Sequence, residues 1–367
     1  MKWGVLASQP FGEETYLYAA KTKGMSIQHL VRENILRLQP YSSARSEFKG
    51  TAQVFIDANE NPFDNGLNRY PDPLQTQLKA QIASWRGVAA EQIFLGNGSD
   101  EAIDLLVRIF CEPQQDHILI VPPTYGMYQV SADIANVAVR AVPLTKSFQP
   151  DVSAILAQAD ARSKLLFLCS PNNPTANNFA PEHLLRLIEN FPGIVVVDEA
   201  YIDFSAQASC IGWLQAHPNL VVLQTFSKAW GLAGIRLGMA FASQEIIALF
   251  NKVKPPYNVN ALTQKAALEA LANPQHYKES LRNLLWQRTL LQQYLAGLDF
   301  VERLYPSDAN FVLVKVHDAN GLYHYLSERG IIVRNRSNVA GCEGCLRITV
   351  GTSSENEKLL EALMAYG

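Results

Sequence analysis

Three apolar runs constrain this chain more than any other feature: KLLFLC (164–169), GIVVVD (193–198) and NLVVLQT (219–225). Each is continuous rather than alternating, and each gives way to a polar loop. Aliphatic and β-branched residues without a polar residue at every second place mark a strand buried on both faces. Helical patterns such as PEHLLRLIENF separate the runs, and QIFL and HILIV add strands upstream. Strands alternating with helices build a mostly parallel sheet covered on both faces, an α/β fold. In such sheets ligands bind outside the carboxyl ends of the strands. The residues that follow each run are therefore the place to look for chemistry.

Length and composition narrow the class. A chain of 367 residues accommodates about two domains. A net charge of -3 without a basic stripe argues against a nucleic-acid partner. No apolar run approaches the roughly 18 residues of a membrane span, and the opening MKWGVLASQPFGEE is too short in apolar residues for a signal peptide. Five widely spaced cysteines, an odd number, point to a reducing compartment, the cytoplasm. Cys342 and Cys345 form a lone CxxC and the histidines do not cluster. A zinc site needs about four ligands, so the cysteines read as structural and no metal is expected.

Residues 1–24 look unlike the rest and read as an N-terminal extension, with Met25 near the functional start. Residues 25–60 read as an arm and part of a small domain. They open on SIQHLVRENILRL, a helix with Ile27, Leu30, Val31, Ile35 and Leu38 on one side. Residues 61–273 form the large α/β domain, with a helical stripe of Leu74, Leu78, Ile82 and Trp85. Residues 274–367 comprise one long linking helix and a small α+β domain with strands at NFVLVKV, IIVRNR and CLRITVG.

The strand ends carry an unusual set of groups. LGNGSDEAIDLL offers Gly96 and Gly98 for close backbone approach, Ser99 as a cap, and Asp100 and Glu101 in a first turn. Free N–H groups at a helix start suit a phosphate, although a glycine loop with a cap is the plain reading. Asp198 follows a buried run, where a carboxylate costs several kcal/mol unless a cation or strong donors compensate. Tyr201 lies three residues on. Asn172 and Asn173 precede Pro174 and are ordinary turn formers. Tyr125 and Tyr128, in PPTYGMY, are either packing residues or a face for a planar ring. TFSKAWGLAGIRLG holds Lys228, a surface lysine or an amine nucleophile, with Thr225, Ser227 and Arg236 as anion partners. Taken together these groups suit a ligand with a phosphate, a phenolic oxygen, a ring nitrogen that wants an anion and an aldehyde that wants an amine: pyridoxal 5′-phosphate.

From about residue 30 to 367 the chain resembles the fold-type I pyridoxal-phosphate aminotransferases, and within them the histidinol-phosphate aminotransferases. LQPYSSAR, DANENPF, NRYPDP, GNGSDEAIDLL, PPTYGMY, SPNNPT, VVDEAY, TFSKAWGLAGIRLG and CLRITVG carry the resemblance through their joint order and spacing. It implies a large, mostly parallel sheet domain with a small α+β domain. Lys228 would be the Schiff-base lysine and proton carrier, and Asp198 would face the ring nitrogen. Tyr201 and Asn173 would contact the phenolic oxygen and Tyr125 would stack on the ring. Gly98, Ser99, Asp100, Thr225, Ser227 and Arg236 would line the phosphate cup. Tyr70 would reach the cofactor phosphate of a neighbouring subunit, which implies a homodimer. Arg347 would hold a substrate carboxylate and Arg334 the substrate phosphate, with Arg336 the other choice two residues along the same strand. Tyr41 and Asn59 would approach the substrate.

The implied reaction moves an amino group between L-histidinol phosphate and 2-oxoglutarate, giving imidazole acetol phosphate and glutamate, in histidine biosynthesis. An aromatic amino-acid aminotransferase and a threonine-phosphate decarboxylase share the same lysine and aspartate. A pyridoxal-phosphate-binding regulator would need a DNA-binding appendage, for which the 24-residue extension is too short. One departure stands out: Ala176 occupies the place of the glycine usual after NPT, and alanine disfavours positive φ.

Overall fold

The computed structural model describes residues 26–42, 48, 50 and 53–366; the extension 1–24 and Met25 lie outside them. Among the described residues there are eleven strands, numbered in chain order. The first seven are β1 (Ile93–Asn97), β2 (His117–Ile120), β3 (Ala138–Ala141), β4 (Ser163–Cys169), β5 (Ile194–Asp198), β6 (Leu220–Thr225) and β7 (Leu237–Ala242). The last four are β8 (Val301–Leu304), β9 (Phe311–Val316), β10 (Arg334–Asn335) and β11 (Cys345–Thr349).

The first seven form one sheet in the order β1-β7-β6-β5-β4-β2-β3. It is parallel except for β7, which runs antiparallel to both β1 and β6. The three apolar runs are its central strands β4, β5 and β6, and their side chains divide between two cores. Leu165, Phe167, Ile194, Val196, Val221 and Leu223 face one core. Leu166, Leu168, Val195, Val197, Leu220 and Val222 face the other. Successive strand side chains point to opposite faces, so double-sided burial produces the continuous apolar sequence.

The remaining strands form an antiparallel sheet, β10-β11-β9-β8. It packs with the 21-residue helix Gln275–Leu295 and the terminal helix Ser353–Met364 around a core of its own. Thr352 and Glu355 make a reciprocal capping box that starts the terminal helix. A smaller cluster, including Ala176, Tyr201, Phe204, Ala309 and Phe311, joins the two sheets.

Several local expectations need correction. SIQHLVRENILRL is not one helix: it forms a short turn at Gln28–Leu30 and a helix at Glu33–Arg37. The break has a tertiary cause. The Arg32 N–H donates to the Ile109 carbonyl at 3.0 Å, and its guanidinium grips Glu112. Ile27, Leu30, Val31 and Ile35 pack on the core of the seven-stranded sheet, whereas Leu38 is exposed. Leu74 lies outside the helix Thr76–Arg86 and is exposed, because Gln75 caps that helix in a left-handed conformation. Arg336 lies just beyond the two-residue strand β10, although its N–H still donates to the Cys345 carbonyl at 2.9 Å.

Candidate active site

The pairing register aligns the site. Cys169 pairs with Asp198 across β4 and β5. Two-residue periodicity places Asp198 on the face of Ile194 and Val196, and Thr225 on the face of Val221 and Leu223. A cavity of about 690 Å³ opens over these ends, lined among others by Cys169, Asn173, Asp198, Tyr201, Thr225, Ser227 and Lys228.

One wall is the start of the helix Gly98–Phe110. Its N-cap is Asn97, so Ser99 lies in the first turn rather than capping it. The first-turn N–H groups have no intrahelical acceptor. Gly98 adopts φ +73° and donates its N–H to the Arg236 carbonyl at 2.7 Å. Gly238, on β7, allows this approach: a Cβ there would sit 2.1 Å from the Ser99 nitrogen. Arg236, itself at φ +53°, brings its guanidinium within 3.7 Å of Asp100. Thr225 Oγ1 accepts from the Ser227 N–H at 3.0 Å and holds the turn that presents Lys228.

Asp198 lies at the base of the cavity, 2% exposed. One carboxylate oxygen accepts from the Tyr128 hydroxyl at 2.7 Å and the other from the Ala200 N–H at 3.1 Å. No cation lies within ion-pair distance of it among the described residues. Burial pushes its carboxyl up to about 6, against the pull of those hydrogen bonds. Lys228 is half-buried, with Nζ 5.6 Å from the Tyr201 ring centroid. Burial, with Arg347 nearby, lowers its pKa against the opposing pull of Asp198. Tyr125 rises from the rim, its hydroxyl donating to Asp100 at 3.1 Å and its ring edge-on to Tyr128 at 5.6 Å.

The small sheet supplies the opposite wall. Arg334 on β10 pairs directly with Arg347 on β11, and both line the cavity with Arg336. Arg347 Nη1 donates to Asn173 Oδ1 at 2.6 Å and so ties the two sheets together. Asn172 is structural: it is fully buried, and its amide donates to the Pro123 carbonyl and to Thr175 Oγ1. Ala176 takes φ +69°, as a glycine there would, so the departure from NPTG leaves the turn in place.

Three expected residues stand apart from the cavity of their own chain. Tyr41 is 74% exposed and Asn59 is exposed at φ +55°. Tyr70 stacks on Tyr257 at 4.4 Å beside a separate cleft of about 420 Å³. Conversely, the Tyr128 contact with Asp198 was not legible in PPTYGMY, which signalled only an aromatic face. All five cysteines are free and buried. Burial raises both thiols of the CxxC, to about 12 at Cys342 and about 11 at Cys345, which suits packing rather than reactivity. Among the described residues no group of acidic, histidine or cysteine side chains forms a metal cluster, and no helix is long and apolar enough to cross a membrane.

The donor set fits pyridoxal 5′-phosphate. A buried carboxylate without a cation suits a protonated ring nitrogen. The first-turn N–H groups of Ser99 and Asp100, which have no intrahelical acceptor, suit a phosphate together with Arg236, and a lysine of lowered pKa suits an aldehyde. The family model for class I and II aminotransferases matches residues 42–363. A histidinol-phosphate aminotransferase of Cytophaga hutchinsonii is 53% identical over 345 residues, 93% of this chain and 99% of that one. The crystal structure of the histidinol-phosphate aminotransferase from Clostridium acetobutylicum matches with a TM-score of 0.76 at 26% identity, covering 82% of this chain and 91% of that one. The Sinorhizobium meliloti enzyme of that name, in complex with pyridoxal-5′-phosphate, has the same fold: its TM-score is 0.74 at 24% identity, covering 82% of this chain and 84% of that one. The family-model match over residues 42–363 and the 53% identity over 93% of the chain show that it belongs to the class I and II aminotransferase family, whose cofactor is pyridoxal 5′-phosphate.

Proposed function

We propose that the chain transfers the amino group of L-histidinol phosphate to 2-oxoglutarate. The observation that carries this reading is the trio Arg334, Arg336 and Arg347. Arg334 and Arg347 are cross-strand partners, and like charges directly opposite are unfavourable. None of the three has an acidic partner at ion-pair distance among the described residues, and Arg336 Nε is buried without a hydrogen bond. Such a wall calls for anions. One guanidinium suits a carboxylate, and the others suit a phosphate held in fork geometry. Arg347 takes the carboxylate of glutamate or 2-oxoglutarate; Arg334 and Arg336 together take the phosphate of histidinol phosphate.

The chain's residues then have distinct tasks. Gly98, Ser99, Asp100, Thr225, Ser227 and Arg236 hold the cofactor phosphate. Asp198 keeps the ring nitrogen protonated, Tyr125 covers the ring, and Tyr201 and Asn173 meet the phenolic oxygen. When bound, pyridoxal phosphate supplies an electron sink for charge developing at the substrate Cα. Lys228 would hold the cofactor aldehyde through Nζ, and its neutral amine would take the proton from the substrate Cα. A general base must be uncharged at working pH, and burial beside Arg347 favours the neutral amine.

The working unit in this reading is a homodimer. Tyr41, Asn59 and Tyr70 lie outside their own cavity, and the segment 54–67 exposes Val54, Ile56, Phe63 and Leu67 at 57–90%. A second copy would cover that surface and receive these residues at its own site. A reducing, cytoplasmic setting accords with five unpaired cysteines.

Comparing L-histidinol phosphate with L-histidinol tests the substrate assignment. The phosphate should raise kcat/KM by about 100-fold, and Arg336→Met should remove much of that gain. Equal rates on both substrates in the unaltered enzyme would overturn the reading.

A further inference from the structure

Lys254 follows the helix Gln244–Val253, away from the cavity, and only 8% of it is exposed. Its ammonium is ringed by neutral oxygens: the Pro73 carbonyl at 2.8 Å, the Pro256 carbonyl at 3.0 Å, Asn258 Oδ1 at 3.1 Å and the Pro255 carbonyl at 3.3 Å. No carboxylate lies within ion-pair distance of it among the described residues. Enclosing a dehydrated cation among dipoles is expensive unless its geometry is used.

The same oxygens lead to the phosphate cradle. Asn258 Nδ2 donates to the Leu95 carbonyl at 2.8 Å and to Glu101 Oε1 at 3.1 Å. The Asn258 carbonyl accepts from Asn97 Nδ2 at 2.5 Å, and Glu101 Oε2 accepts from the Asn97 N–H at 2.5 Å. Asn97 is the N-cap of the helix whose first turn is Gly98, Ser99 and Asp100. On the other side, the Pro73 carbonyl belongs to the segment carrying Tyr70, whose ring stacks on Tyr257 between Pro256 and Asn258.

We propose that Lys254 is a positioning residue that acts through Asn258 to fix the first turn of the phosphate cradle and clamp the Tyr70 segment to it. The inference rests on the cofactor reading above. Lys254 is separated from the cavity by Asn258 and Asn97, so its charge acts through the position of the helix start rather than by contact with an anion.

The hub should respond to pH. Asp72, before the helix Thr76–Arg86, and Glu101 both favour the Lys254 ammonium, while Lys79 lies near it as a second buried cation. Burial outweighs the two carboxylates and pushes Lys254 down to about 8. The ammonium is therefore intact below that pH and lost above it, and the clamp should loosen as pH rises.

The test uses the full chain stripped of cofactor and titrated with pyridoxine 5′-phosphate, which has the phosphate and ring but no aldehyde for Lys228. Lys254→Met should weaken binding about tenfold near neutral pH. Between about pH 7 and about pH 9 the unaltered protein should lose more affinity than the variant does, and an equal loss in both would count against the proposal. A folded Lys254→Met protein with unchanged affinity would overturn the proposal. If that variant fails to fold, Asn258→Ala decides in the same titration: unchanged affinity overturns the proposal, and an about tenfold loss supports it. Failure of the unaltered chain to bind the probe at all would instead refute the cofactor reading and the inference with it.

Discussion

Replacing Asp198 with asparagine should make the cofactor-free protein more stable while disabling the holoenzyme. The carboxyl is 2% exposed, and its pKa rises from 3.8 to about 6. A folded-state pKa raised above the unfolded value means that the folded chain holds the proton more tightly. The associated stability is fully present below about pH 3.8 and is lost as pH rises through about 6. That rise corresponds to about 3 kcal/mol once both states are ionised, and about half of it is already lost at about pH 5.

Asparagine carries no charge, but its amide must face either the Tyr128 hydroxyl or the Ala200 N–H, both donors, and that mismatch costs about 1 kcal/mol. The variant should therefore gain about 2 kcal/mol over the unaltered apoprotein near pH 7.5. That advantage should shrink by about 1.4 kcal/mol at about pH 5. Urea unfolding of both apoproteins at the two pH values measures the difference. Turnover of the reconstituted variant should fall by about 100-fold or more, the scale of removing a group that stabilises transition-state charge. A pH-independent difference in stability would refute the claim that an unpaired buried carboxylate awaits a cation. Undiminished turnover would refute its role in the reaction.

Three further expectations attach to particular positions. Ala176→Gly should change the unfolding free energy by less than about 1 kcal/mol, because relief of positive φ is offset by unfolded-chain entropy and the loss of a buried methyl. Ala176→Val should cost about 3 kcal/mol or more in the same urea titration, since a branched side chain is strained at φ +69° and has no room in a fully buried position. Mixing Lys228→Ala chains with Tyr70→Phe chains should restore part of the turnover each lacks, as one hybrid site regains both residues; no recovery would contradict a shared site.

The central architecture was legible because β4, β5 and β6 are buried on both faces and Asp198 and Thr225 end two of them. Residues whose geometry depends on distant partners were less visible. β3 reads AVRA, partly exposed and without an apolar run, and it is a strand because β2 pairs with it. Val31 and Arg32 break a helical pattern because Ile109 and Glu112 offer Arg32 better partners than a helix would. Tyr128 carries the same local signal as a packing tyrosine; only the fold brings its hydroxyl under Asp198. Lys254 gives no motif at all, since its four oxygens come from two separate segments and depend on backbone conformation. Resemblance points to Arg334, and Arg336 stays open because residues two apart on one strand share a face; the strand ends at Asn335, yet both arginines line the cavity.

The most direct measurement follows nitrogen. Holoenzyme is incubated with L-histidinol phosphate labelled at its amino nitrogen and with 2-oxoglutarate, and glutamate is analysed by mass spectrometry. Amino transfer through Lys228 requires labelled glutamate in step with the phosphorylated keto product, and none from the Lys228→Ala protein. Label that stays out of glutamate, or transfer at the ordinary rate without Lys228, would contradict it.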